Sequence, residues 1–408
     1  MNLNSPKPLE GIKVVDLSTY VAAPVCARML ADMGAEVVKI ETFRGDPWRD
    51  TSKSSTFTDD FENPMFDIYN AGKKSICLNI KHELGMKTLL DMLANADIFI
   101  TNTRPQSLKK LGLDFDTLHE KFPKLIYATI TGYGDKGPDC DAPGFDNVAF
   151  WTRSGFLMDM SVRSEKSYPV MSPTGSGDTV AGAMLYGGVM TALYKRAMTG
   201  EGEFVTTALY NTGIWMLASM IMQAQEKYNI KFPKERVDCS PFSSPFCCAD
   251  GEWVCITVLD YLRYRDTMFR ILDIEEEMSK LDVSSYKALK QQSDIVIPIM
   301  EKAFMKKTSS EWIKLLKEAD VVCGVLNHMK DVSRDEQAIA NSFIQQYNFK
   351  NKEGESCMMP CPPIRLGSQQ PPIAVSAPLP GEDTREVLIK MGYSTEYIAE
   401  MLNLGAVK

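Results

Sequence analysis

The sequence predicts an α/β protein with a doubly wound parallel sheet, followed by a smaller α+β region. Three observations point there. Residues 12–40 read as strand, helix and strand in close succession; the alternation recurs as far as residue 130; and periodicity breaks over Phe232–Pro245, where three prolines mark a linker. At 408 residues, 44% hydrophobic and 24% charged, the chain can bury more than one core. The expected division is a large α/β part over 1–230, a linker and small α+β domain over 231–325, and a remaining segment over 326–408.

The elements follow in order. Ile12-Lys13-Val14-Val15-Asp16-Leu17 is a short β-branched run, hence a strand. Pro24 suits the first turn of a helix that runs to about Met33, where Gly34 supplies the stop. Val37-Val38-Lys39-Ile40 is a second strand, and a βαβ unit of this kind implies parallel pairing with a right-handed crossover. Ser75-Ile76-Cys77-Leu78 precedes a helix near 83–94. Ile98-Phe99-Ile100-Thr101 and Leu125-Ile126-Tyr127-Ala128-Thr129-Ile130 add buried strands. A long helix is expected from about Thr179 to Met198, ended by Thr199-Gly200-Glu201-Gly202. Phe204-Val205-Thr206-Thr207 is then a strand, and an apolar helix reaches about Lys227. Beyond the linker, Val254-Cys255-Ile256 is a strand among amphipathic helices. Pro360–Pro380 is proline-rich, and a final helix opens at Asp383-Thr384-Arg385-Glu386 with the spacing of a capping box.

Composition narrows the function classes. No run of 18 apolar residues is present, so no membrane span is expected. Met1-Asn2-Leu3-Asn4-Ser5-Pro6 has neither the basic cap nor the apolar run of a secretory leader. A net charge of −8 disfavours broad nucleic-acid binding while leaving room for a local basic pocket. The ten cysteines form no CxxC pair, and several sit in apolar runs such as Trp253-Val254-Cys255-Ile256, which fits reduced thiols in a cytoplasmic protein. Cys357 and Cys361 are spaced like metal ligands, but His82, His119 and His328 lie far away in sequence, so no metal site is expected. With three histidines in all, acid–base or nucleophilic work falls to carboxylates.

In open α/β sheets, ligands sit beyond the carboxyl ends of the strands. The loop after the first strand, Ser18-Thr19-Tyr20-Val21-Ala22-Ala23-Pro24, lacks a GxGxxG fingerprint, yet its small residues let a ligand approach the backbone. Glu41 ends the second strand, where such folds bind a ribose or simply leave a carboxylate in water. Lys73 and Lys74 precede the third strand; Arg104, Lys109 and Lys110 follow the fourth, beside Asn102. These clusters read either as phosphate contacts or as solvated surface. Asp178, in Gly175-Ser176-Gly177-Asp178-Thr179, reads as a helix N-cap or as a nucleophile favoured by a helix N-terminus. The residues alone leave that choice open.

Several motifs then add up. They are Leu9-Glu10-Gly11-Ile12-Lys13-Val14-Val15-Asp16 with Gly34-Ala35-Glu36-Val37-Val38-Lys39-Ile40-Glu41; Asn70 through Ser75; Asn102-Thr103-Arg104-Pro105; and Thr131-Gly132-Tyr133-Gly134. Gly177-Asp178 with Gly182 and Thr199-Gly200-Glu201-Gly202 follow, and Gly381 through Leu388 closes the series, with Asp383 where a histidine is usual. From Leu9 to about Leu388 the chain resembles the class III CoA-transferases, the formyl-CoA transferase/CaiB-BaiF family. The resemblance implies a Rossmann-like large domain, a smaller α+β domain, a C-terminal segment returning to the large domain, and an interlocked, ring-like homodimer. It implies Asp178 as the catalytic aspartate, passing through a mixed anhydride and an aspartyl-CoA thioester. Coenzyme A contacts map to Tyr20, Val21, Ala22, Lys73, Lys74, Asn102, Thr103 and Lys110, with Asp146 and Ser243 near the substrate. The implied partners are an acyl-CoA, a small carboxylic acid and a second copy of the chain. No tightly bound cofactor is expected, coenzyme A thioesters being substrates.

Departures from the oxalate enzymes shape the substrate expectation. Their glutamine after the first strand is Val21 here, and their glycine-rich loop gives way to Ser240-Pro241-Phe242-Ser243-Ser244-Pro245-Phe246. Loss of a polar side chain suits an apolar acyl group. The pattern is most similar to the branch acting on (R)-2-hydroxy acids of amino-acid fermentation, such as phenyllactate or 2-hydroxyisocaproate. Two alternatives stand beside it: a CoA-ester racemase, which would want a histidine near Gly132-Tyr133-Gly134-Asp135, and a non-catalytic CoA-binding subunit.

Overall fold

Six β-branched segments form one parallel sheet: β1 (Lys13–Leu17), β2 (Glu36–Glu41), β3 (Lys74–Cys77), β4 (Ile98–Thr101), β5 (Ile126–Thr131) and β6 (Phe204–Ala208). The spatial order is β3-β2-β1-β4-β5-β6, with Val14 paired to Val37 on one side and to Ile98 on the other. That is the doubly wound order, whose direction of winding reverses between β1 and β4. All four residues of β4 are buried, as expected for a central parallel strand covered on both faces. The computed structural model describes residues 6–51, 63–162, 169–228, 230–349 and 354–408. Met1–Ser5, part of the stretch read as lacking a leader, lies outside them.

The helix after β1 spans Ala22–Asp32, with Pro24 in its first turn, and Gly34 at φ +101° turns the chain into β2. It packs against a long helix, Ser176–Thr199, so closely that a Cβ on Gly182 would stand 2.3 Å from the Ala22 carbonyl oxygen. Only glycine fits that crossing. The single apolar helix expected after β6 is two, Leu209–Met216 and Ala218–Ala224, broken at Leu217.

The edge of β3 is closed from the far end of the chain. The Asp383 N–H donates to the Ser75 carbonyl at 3.0 Å, and its carboxylate accepts the Ser75 N–H at 2.8 Å. Thr384 Oγ1 accepts from the Cys77 N–H, and the Lys408 N–H donates to the Cys77 carbonyl. This corrects the expected capping box: Asp383 does precede the helix Thr384–Lys390, but makes no cap bond there, because its carboxylate covers a sheet edge. Glu386 instead pairs with Lys74.

Two units emerge from the contacts. One comprises Met1–Phe156, Ser172–Met222 and Ser333–Lys408; the other comprises Leu157–Met171 and Gln223–Val332. The first also contains the antiparallel pair β10 (Ile344–Asn348) and β11 (Ser356–Pro360). The second carries an antiparallel sheet of β7 (Pro245–Cys247), β8 (Trp253–Thr257) and β9 (Val322–Val325). Its core includes Phe246 stacked on Phe304 at 4.6 Å, and Trp312, whose Nε1 donates to the Phe304 carbonyl at 2.7 Å. No helix among the described residues is long and apolar enough to cross a membrane.

Candidate functional site

The winding reversal opens a crevice between the loops that follow β1 and β4, and a cavity of about 300 Å³ lies there. Tyr20, Ala22, Asn102, Thr103, Arg104 and Asp178 all line it. A larger cavity of about 450 Å³ lies at the other ends of β1 and β2, around Lys13 and Glu36, away from these loops.

The loop after β1 is tied down at each residue. Lys39 Nζ donates to the Ser18 carbonyl at 2.8 Å. Asn102 clamps Thr19 twice, accepting its N–H at 3.0 Å and donating to its carbonyl at 2.8 Å. The Tyr20 N–H donates to Asp46 Oδ1 at 3.0 Å, and Asp46 pairs with Lys39 at 2.8 Å. Tyr20 is thereby held at φ +63°, in the left-handed region that a side chain disfavours.

Asp178 enters from the long helix. It is the third residue of that helix, whose N-cap is Gly175 at φ +78°, so the N-cap reading is corrected: Asp178 stands in the first turn, after a left-handed glycine start. The helix-end donors do not serve Asp178 itself. Asp146 Oδ2 accepts the Gly175 N–H at 2.7 Å and Oδ1 accepts the Asp178 N–H at 3.1 Å, while Trp151 Nε1 adds a bond at 3.2 Å. A Cβ on Gly177 would fall 2.2 Å from Asp146 Oδ1, so the carboxylate fits only over glycine. Asp146 therefore takes the stabilisation that a helix N-terminus offers an anion. Burial and the nearby Asp146 charge push the Asp178 carboxyl up to about 7. Burial raises Asp146 too, opposed by the N–H groups of Gly175, Asp178 and Gly177 and by Trp151.

The remaining expected contacts are placed as follows. Lys73, expected to meet a phosphate, is a buried core cation: its Nζ bonds Asp16 at 2.9 Å, Asn70 at 2.9 Å and the Pro24 carbonyl at 3.0 Å. Lys74 pairs with Glu386 at the sheet edge. Glu41 is neither ribose-facing nor solvated; it is buried, bound by Arg49 at 2.7 and 2.9 Å and by Ser75 at 2.6 Å. Val21 is 2% exposed and packs inward, whereas its neighbours Tyr20 and Ala22 line the cavity. Lys109 and Lys110 are exposed in the last turn of the helix Pro105–Leu111. Ser243 is exposed in the second unit. Among the described residues there is no group of three or more metal-ligating side chains.

Sequence reasoning missed three residues. Asp46, in Gly45-Asp46-Pro47, looks like turn punctuation, and only the folded chain brings it under Tyr20. Phe145 lines the cavity and meets the Tyr20 ring edge to face at 5.5 Å. Tyr69 lies near the Thr179 side chain, next to Asp178, and burial raises its phenol pKa. Nothing in the local pattern of Pro64–Asn70 marks that tyrosine.

Comparison with known proteins bears on this arrangement. The family model described as CoA-transferase family III matches residues 9–384. The chain is 36% identical to the (R)-2-hydroxy-4-methylpentanoate CoA-transferase of Clostridioides difficile, over 96% of this chain and 97% of that one. It is 37% identical to the cinnamoyl-CoA:phenyllactate CoA-transferase of Clostridium sporogenes, over 98% and 97%. Among solved structures, a CaiB/BaiF family protein of Brucella suis superposes with a TM-score of 0.77 at 24% identity, covering 95% of this chain and all of that one.

Proposed function

The chain belongs to CoA-transferase family III, and from that premise we propose that it moves coenzyme A reversibly from an acyl-CoA donor to a small carboxylic acid, an (R)-2-hydroxy acid of amino-acid fermentation. The two clostridial relatives, both named for 2-hydroxy acids, support the substrate class. The observation that carries the mechanism is a half-buried carboxyl, Asp178, lining a cavity at the winding reversal.

In this reading ionised Asp178 attacks the thioester carbonyl of the donor, and the C–S bond breaks to release the thiolate of coenzyme A and leave an acyl-aspartyl anhydride. The thiolate attacks the aspartyl carbonyl of that anhydride, expelling the donor's carboxylate and leaving an aspartyl-CoA thioester. The acceptor's carboxylate repeats the exchange in reverse and departs as the new acyl-CoA, with Asp178 restored. A carboxyl whose basicity is raised is the better nucleophile once ionised, and a cleft that excludes water preserves thioester energy through each exchange. Asp146 is a positioning residue: it anchors the helix start and denies Asp178 those donors.

A racemase would need a second acid–base group facing the cavity. His82 caps the helix Glu83–Leu93, His119 stacks on Phe115 at 5.0 Å, and His328 lies in the second unit. A homodimer remains part of the proposal, supported by apolar side chains left open on the long helix and its successor, with Met198 at 73% and Trp215 at 72% exposure. The ten free thiols support a cytoplasmic setting.

The test is CoA transfer from a panel of acyl-CoA donors to (R)-2-hydroxy acids by wild type and Asp178→Ala. The variant should lose at least about 10³-fold in kcat with its fold intact. Wild-type turnover in the variant would contradict the proposal.

A further inference from the structure

A tyrosine in a left-handed backbone conformation persists only where its surroundings over-determine it, and such residues gather at ligand sites. Tyr20 meets both conditions. Lys39, Asn102 and Asp46 fix every backbone polar group from the Ser18 carbonyl to the Tyr20 N–H. Lys39 and Asp46 are themselves buried and paired, so the clamp is rigid. A glycine would sit there without strain, yet the chain carries a large ring, which meets the ring of Phe145 where both residues line the cavity.

What the ring meets there is informative. It packs edge to face against Phe145, ring planes at 87°, and Phe145 remains 57% exposed. Phe145 immediately precedes Asp146, whose carboxylate holds the Asp178 N–H. The aromatic pair therefore stands beside the nucleophile, where the acyl half of a thioester must lie. The polar and cationic lining, Asn102, Thr103 and Arg104, belongs to the loop after β4 and suits the carrier half.

We infer that Tyr20 is the acyl-selecting residue, its clamped ring and Phe145 forming an apolar corner that favours an aromatic or other bulky apolar acyl group over a short one. This rests on the proposed function only in taking the ligand to be a coenzyme A thioester. It also moves the selectivity from Val21, which is buried, to its neighbour.

The test measures binding without turnover. In the Asp178→Ala background, calorimetry compares free coenzyme A with propanoyl-CoA and 3-phenylpropanoyl-CoA. The phenylpropanoyl ester should bind at least about 10-fold tighter than the propanoyl ester, from apolar burial plus ring–ring contact. Tyr20→Gly, which relieves the backbone strain, should bring the two esters within about 2-fold of each other, the preference being set by the ring. Tyr20→Phe should keep the preference. An unchanged preference in Tyr20→Gly, or an equal loss for free coenzyme A and both esters, would overturn the assignment. Neither result touches the transferase reading. Conversely, a preference that follows Tyr20 in a protein whose Asp178 never becomes acylated would remove the transferase reading and leave this one standing.

Discussion

Two groups of carboxylates, one at strand ends and one at a helix start, are treated in opposite ways. At the ends of β1 and β2, Asp16 faces Lys73, Asp46 faces Lys39, and Glu41 faces Arg49, every pair within 3 Å. Burial works against ionising Asp16 and Glu41, yet Lys73 and Arg49 hold both carboxyls below their ordinary range. At the start of the long helix, Asp178 has Asp146 as its charged neighbour, and burial moves it upward instead. The chain thus compensates negative charge where a loop is held and leaves it uncompensated at Asp178, the proposed nucleophile.

The contrast can be broken from either side, and the largest stability effect is expected from the paired group. Asp16→Asn leaves Lys73 without its counter-charge in the core and should destabilise the fold by about 3–5 kcal/mol, read by urea unfolding at pH 7. Asp178→Asn should do the reverse. A carboxyl whose folded pKa is raised from 3.8 to about 7 adds stability while protonated, and loses it as pH rises through about 7. The asparagine variant should therefore be more stable than wild type at pH 8, by on the order of 2–4 kcal/mol, with the gain gone below about pH 4. A variant no more stable than wild type at pH 8 would mean Asp178 is solvated.

Asp146→Asn sharpens the comparison further. Because Asp178 must be ionised to attack, kcat/KM of the wild type should fall as pH drops through about 7. Removing the Asp146 charge leaves burial as the main cause of the shift, so the acid limb should move to lower pH. An unmoved limb would show that the two carboxyls do not interact. The smallest effect belongs to the sheet edge: Lys74→Ala removes an exposed pair with Glu386 and should leave the urea midpoint unchanged.

How much of this the sequence revealed follows from the range of each interaction. The strands of the parallel sheet were legible because β4, for example, is apolar on both faces and announces itself in four residues. Asp178 was visible as a carboxylate after glycines, but its true position required knowing that Gly175 starts the helix left-handed and that Asp146 occupies the helix-end donors. Lys73 and Glu41 were misplaced for one physical reason: a charged residue at a strand end looks the same in sequence whether it meets water or a partner. The partners here are Asp16, 57 positions earlier than Lys73, and Ser75, 34 positions beyond Glu41. Asp383 fits a capping box in one dimension and a sheet edge in three. Tyr20 was singled out by the family resemblance, while the clamp that strains it comes from Lys39, Asp46 and Asn102, which no local pattern connects.

Intact-protein mass reads directly whether Asp178 becomes covalently loaded. Wild-type protein is incubated briefly with a panel of acyl-CoA esters, quenched cold, and analysed with and without hydroxylamine. A gain equal to coenzyme A minus water is expected, mapping to Asp178 and removed by hydroxylamine. No adduct from any donor, in protein that demonstrably binds coenzyme A, would contradict it.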